Sequence, residues 1–183
     1  MKPTLTRTAL LISALLLSPL AAQAAAPTKA EYAAAKTTIS ADYKAAKAAC
    51  DSLKANAKDI CEEEAEAAEK NARAELEFSA SGKPADAMKV QTVKADGAFE
   101  VAKERCDDLS GNAKDVCNKE AKAAHVAAIA AAKSPKASAE DRAEAKEDVN
   151  EAKYKAAAEK CDTLSGDAKT ACVQAAKNAH GQR

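Results

Sequence analysis

The sequence predicts an all-α protein: three disulfide-stapled antiparallel helical hairpins, about six helices, as a repeat array or a loose bundle. Three observations predict it. Six cysteines fall into three copies of one pattern, Cys50-DSLKANAKDI-Cys61, Cys106-DDLSGNAKDV-Cys117 and Cys161-DTLSGDAKTA-Cys172. The composition is rich in alanine, lysine and glutamate, which are strong helix formers, and has no tryptophan. Small and apolar residues recur at steps of three and four on both sides of each cysteine pair.

The chain opens with a segment that is not part of this fold. Lys2 and Arg7 precede an apolar stretch from Ala9 to Leu17, Pro19 ends it, and Ala22-Gln23-Ala24 fits a small-x-small cleavage rule. Residues 1–24 read as a secretory signal peptide, cut after Ala24 or, alternatively, after Ala26. The stretch is about half the ~20 apolar residues that a membrane-spanning helix needs. The expected location is therefore the periplasm of a bacterium, with no stable membrane insertion after cleavage. An oxidising compartment makes an even set of regularly spaced cysteines a disulfide framework.

Removing Lys2 and Arg7 from a chain of 28 basic and 28 acidic residues leaves a net charge near -2. That balance argues against a nucleic-acid partner, which requires a basic patch. Large apolar residues are scarce after residue 24, so the core must be thin and staples are needed to hold it.

The hairpins follow in order. In the second, Ala95, Phe99, Ala102, Cys106 and Leu109 form one helical stripe, resumed by Cys117, Ala121, Ala124 and Ala128. The first repeats it as Ile39, Tyr43, Ala46, Cys50, Leu53 and then Cys61, Ala65, Ala68, Ala72. The third has Asn150, Tyr154, Ala157, Cys161, Leu164 and then Cys172, Ala176, Ala179. A mostly alanine seam lets two helices approach closely. Gly111 and Gly166 suit a turn at positive φ, and Asn112 and Asp167 suit the start of a second helix. The first repeat keeps Asn56 but carries Ala55 in place of the glycine.

The predicted helices are 28–54, 56–79, 85–110, 112–133, 139–165 and 167–180. They group into hairpin 1 (25–80), hairpin 2 (85–133) and hairpin 3 (139–183), separated by Ser79–Pro84 and Ser134–Ser138. On one straight helix each cysteine pair would lie ~16 Å apart, beyond the ~7 Å Cα separation that a bridge tolerates. The spacing thus predicts local pairs: Cys50–Cys61, Cys106–Cys117 and Cys161–Cys172. Pairing between different helices, as in twin Cys-x9-Cys proteins, is the alternative. Val90, Val93, Val101, Val126 and Ile129 lie off the seam and suggest contact between hairpins, whether bundled or strung out.

No constellation points to an enzyme. There is no Cys-x-x-Cys, no Gly-rich phosphate loop and no nucleophile elbow. His125 and His180 each lie eight residues after a cysteine, at the position Glu69 holds in the first repeat. Eight residues of helix span ~12 Å, too far for one ion to join that His and Cys. They read as surface histidines carried by the duplicated unit, or as metal ligands if several hairpins converge. Glu62-Glu63-Glu64 with Glu66 and Glu69 reads as an acidic helix start, with a weak divalent-ion surface as the alternative. Tyr43, Phe99 and Tyr154 read as the large side chains filling each hairpin. No catalytic residue, cofactor or metal is expected.

The run Tyr43-Lys-Ala-Ala-Lys with Cys50, and the run from Cys106 to Cys117, resemble a group of small exported proteins of Gram-negative bacteria often labelled TolA-like or cell envelope biogenesis proteins. The likeness to TolA itself rests on Ala/Lys/Glu-rich helix, so TolA's function is not carried over. The expected function is a non-enzymatic periplasmic helical-repeat protein that binds or spaces within the envelope, its charged hairpins offering surface to a periplasmic or envelope protein; the alternative is a metal-binding or thiol-redox protein using the cysteine pairs with His125 and His180.

Overall fold

The computed structural model describes residues 26–182. The signal-peptide reading falls outside them. Six helices follow in order: α1 (Lys29–Cys50), α2 (Asn56–Ser81), α3 (Pro84–Cys106), α4 (Gly111–Lys133), α5 (Ala139–Glu159) and α6 (Gly166–Ala179). Short 3₁₀ turns cover Ser134–Lys136 and Lys160–Thr163, and no strand occurs among the described residues. Two helices start on full capping boxes, Thr28 with Glu31 and Ser138 with Asp141, in which hydroxyl and carboxylate each accept a backbone N–H of the other residue. Between α2 and α3, Gly82 at φ 60 donates its N–H to the Phe78 carbonyl, and Pro84 starts the next helix.

The cysteines pair within each repeat: Cys50–Cys61, Cys106–Cys117 and Cys161–Cys172, at Cα separations of 5.6, 5.6 and 5.8 Å. No cysteine is free among the described residues. Cys50, Cys106 and Cys161 are fully buried, the most enclosed side chains of their hairpins. Each bridge closes a short loop and stabilises by about 3 kcal/mol in the chain-entropy account.

The first and third helices stop at the cysteine, several residues before the predicted ends at 54 and 110, and α5 gives way to a 3₁₀ turn instead of running to 165. The reason is a tightened last turn. The N–H groups of Leu53, Leu109 and Leu164 donate to the carbonyls of Cys50, Cys106 and Cys161 at 2.9, 3.0 and 2.9 Å, an i→i+3 pattern that ends the α-helix. The three leucines therefore leave the seam and stand exposed at 40, 43 and 42 %. The motif's Asp and Lys face each other across the turn: Asp51 with Lys58 at 2.8 Å, Asp107 with Lys114 at 3.1 Å, Asp162 with Lys169 at 3.0 Å.

One backbone position makes the reversal. Gly111 has φ +55 and Gly166 φ +56, as their residue type predicts. Ala55 takes the same turn at φ 49, where a Cβ is strained. Disulfide, ion pair and hydrogen bonds hold it there.

Each helix packs against its neighbours in the chain, so the hairpins string out in one layer, as in helical solenoids. The most extensive contact is not inside a hairpin but between them, α2 on α3. There Ala67, Ala74, Val90 and Val101 are buried, and Gly97 lets the backbones meet. A Cβ on Gly97 would lie 2.8 Å from the Ala67 Cβ. The predicted seam needs one correction. Ala65 and Ala176 are buried, but Ala68, Ala124, Ala128 and Ala179 are exposed, and in α4 the buried alanine is Ala123. An inner helix has two neighbours, so its small residues serve two seams.

Two predictions follow from this packing. Ala55→Gly should raise stability by about 1 kcal/mol and Gly111→Ala should lower it by a similar amount, read from urea unfolding under non-reducing conditions. Gly97→Ala should cost about 1–3 kcal/mol by overpacking the α2–α3 seam; a neutral result in the same assay would mean the helices are not in contact there.

Candidate functional site

The structure separates the residues that a metal or redox centre would have to gather. All six cysteines are in disulfides. His125 lies on α4, whereas His180 follows the last residue of α6, in a different hairpin. Among the described residues no group of three or more His, Cys, Asp or Glu side chains is placed to hold a metal ion.

His125 is not the surface histidine that its repeat position suggested. Its side chain is only 15 % exposed, its ring stacks on Phe99 at 4.8 Å between centroids, and its Nε2 lies 2.6 Å from the Asp96 carboxylate. Its Nδ1 is buried without a partner. The residue eight after the cysteine therefore belongs to the hairpin seam, while the alanine seven after it faces out. The ammonium groups of Lys103 and Lys122 sit 5.5 and 5.4 Å from the Phe99 ring centre. Phe99 is thus a packing residue at the middle of the α3–α4 pair. Tyr43 and Tyr154 are half-buried at the same repeat position.

Four of the five clustered glutamates of α2, Glu62, Glu64, Glu66 and Glu69, are ion-paired, so the cluster is not an open carboxylate surface. Glu62 pairs with Lys47 of α1, and Glu64 with Arg105 of α3 at 2.6 Å. Glu66 pairs with Lys70, and Glu69 with Arg73, which also donates to the Ser40 hydroxyl of α1. One acidic run therefore ties α2 to the helix on either side. The Lys47 ammonium holds Glu62 below the usual carboxylate range, and Lys58 does the same for Asp51. Partial burial, with Glu66 nearby, pushes Glu63 the other way. Such exposed pairs contribute little each, because solvent and salt screen them.

The hairpins are joined by contacts that the sequence pattern did not reveal. Asn56, at the start of α2, donates its side-chain amide to the Glu104 carbonyl of α3 at 2.8 Å. Asn112, at the start of α4, donates to the Glu159 carbonyl of α5 at 2.9 Å. These asparagines thus serve the next hairpin and do not cap their own helices, where Ala55 and Ser110 stand at the N-cap. Alongside them run Glu64–Arg105 and Lys160–Glu120, each at 2.6 Å.

What remains open is lateral surface. Shallow grooves run along the helix pairs, about 390 Å³ between α4 and α5 beside Val126 and Ala152, and about 340 Å³ between α2 and α3 beside Val93 and Gly97. Both are edged by lysines and carboxylates of mixed sign. No described helix is long and apolar enough to cross a membrane. Compared with protein-family models, curated proteins and solved structures, the chain matches none.

Two capping boxes and two ion pairs set the response to acid. Glu31, Asp51, Glu62 and Asp141 are all held below their ordinary values of 4.5, 3.8, 4.5 and 3.8 by hydrogen bonds from Thr28, Lys58, Lys47 and Ser138 respectively. Each contributes stability that is present above the unfolded pKa and lost as pH falls through the folded one. Glu63 has the opposite sign. Four against one, the melting temperature should be flat near neutrality and fall below about pH 4.5. A rise on acidification, followed by circular dichroism, would contradict these pairings.

Proposed function

We propose that this is a non-enzymatic helical-repeat protein of the periplasm that acts by binding or spacing within the cell envelope, including under envelope stress. Its expected partner is a periplasmic or envelope protein. The observation that supports this reading most is the single-layer array of stapled hairpins, which leaves both broad faces open and spends every described thiol on a bridge. Interspersed lysines and carboxylates on those faces suit a protein surface better than nucleic acid or anionic lipid.

The other class of reading is a periplasmic metal-binding or thiol-redox protein using the cysteine pairs with His125 and His180. The unpartnered Nδ1 of His125 is the observation in its favour. Native and denaturing intact-mass measurements on protein purified from the periplasm without reductant separate the two. The binding or spacer reading expects the mature chain six hydrogens light, from three disulfides, and free of metal. Free thiols or a retained metal ion would favour the second reading.

A further inference from the structure

The joints between hairpins repeat, and both ends of the array break the repeat. At each joint the earlier hairpin supplies an asparagine in its turn and a glutamate eight residues on: Asn56 with Glu64, Asn112 with Glu120. The later hairpin supplies a base immediately before its first cysteine, Arg105 or Lys160, and a carbonyl from the last turn of its first helix. In hairpin 3 the two supplying positions are Asp167 and Ala175. In hairpin 1 the basic position is Ala49.

These exchanges have chemical consequences. The carbonyls at a helix carboxyl end carry the negative pole and lack intrahelical donors. An asparagine amide satisfies one of them. An ionised aspartate offers only acceptors, so Asp167 would meet such a carbonyl with repulsion. Asn56 and Asn112 are half-buried in their joints, whereas Asp167 is exposed. Ala175 cannot attract a base, and Ala49 cannot answer a glutamate. The three positions together remove the donor, the acid and the base that a further joint would use.

We propose that Asn56 with Glu64 and Asn112 with Glu120 fix the register in which successive hairpins stack, and that Asp167, Ala175 and Ala49 terminate the array. The chain is then a finite three-hairpin unit whose partner binds laterally, not a segment of a head-to-tail polymer of its own copies. This rests on the fold and not on the proposed envelope role, and it stands or falls without it.

The test uses the full mature chain with its disulfides intact. Asn112→Asp installs at the second joint the residue that ends the array. Amide exchange in hairpin 3 should then quicken roughly tenfold while α1 is unaffected, and small-angle scattering should show a larger radius of gyration. Asp167→Asn should change neither reading. Glu120→Lys should loosen the same joint, and adding Lys160→Glu should restore it, which a mere folding defect would not allow. Wild type should sediment as a monomer at the highest attainable concentration. Unchanged exchange in Asn112→Asp, no rescue by the charge exchange, or end-to-end multimers of the wild type would each overturn the proposal.

Discussion

A covalent bond at each hairpin end replaces what a hydrophobic core supplies elsewhere. Among the described residues the buried side chains are alanine, valine and cysteine, with no large aromatic or leucine among the fully buried ones. Alanine brings helices close but removes little apolar surface from water, so burial alone offsets the entropy of ordering these helices poorly. The disulfide acts on the other side of the balance, by limiting the unfolded chain. The local features of the turn depend on it: the tightened last helical turn, the Asp–Lys pair, and the positive φ that Ala55 tolerates in the first repeat.

From that fixed turn the array grows by a second kind of contact. Within a hairpin the helices meet around the bridge and one aromatic residue. Between hairpins they meet along small residues, closest at Gly97 against Ala67, with ion pairs along the edges. The first joint is the better packed of the two. It has Gly97 at the closest approach, buried Val90 and Val101, and the ion pairs Lys89–Glu77, Lys94–Glu75 and Arg105–Glu64. The second relies on Ala123, Ala156, Asn112 and the Lys160–Glu120 pair, beside an open groove.

The parts of this that the sequence made legible are those where residue type leaves little choice. Cysteine spacing ruled out a straight helix, and the turn residues between the cysteines favoured the three local pairs over pairing between helices. Gly111 and Gly166 marked the reversal, and proline, glycine and serine marked the linkers. The seam was harder to read because alanine lies on every face of these helices. With no contrast between inside and outside, the stripe was continued onto Ala124 and Ala128, when His125 is the residue that turns toward α3 and Ala123 is buried on another face of α4. The predicted helix ends overran for a related reason: Leu53, Leu109 and Leu164 keep the apolar spacing but sit beyond the last helical turn. Val90 and Val101 off the seam pointed to contact between hairpins, but the asparagine contacts were invisible, because asparagine is also a good helix-starting residue and its partner carbonyl lies almost fifty residues away.

Each hairpin is closed by its own bridge. Every loop between paired cysteines contains a lysine, Lys58, Lys114 and Lys169 among them, so trypsin cuts inside each loop. Mass spectrometry of a tryptic digest made without reductant reads the pairing directly. Three cross-linked peptide pairs are expected, Cys50 with Cys61, Cys106 with Cys117 and Cys161 with Cys172. Bridges between repeats, or cysteines that carry an alkylating tag without prior reduction, would contradict this pairing.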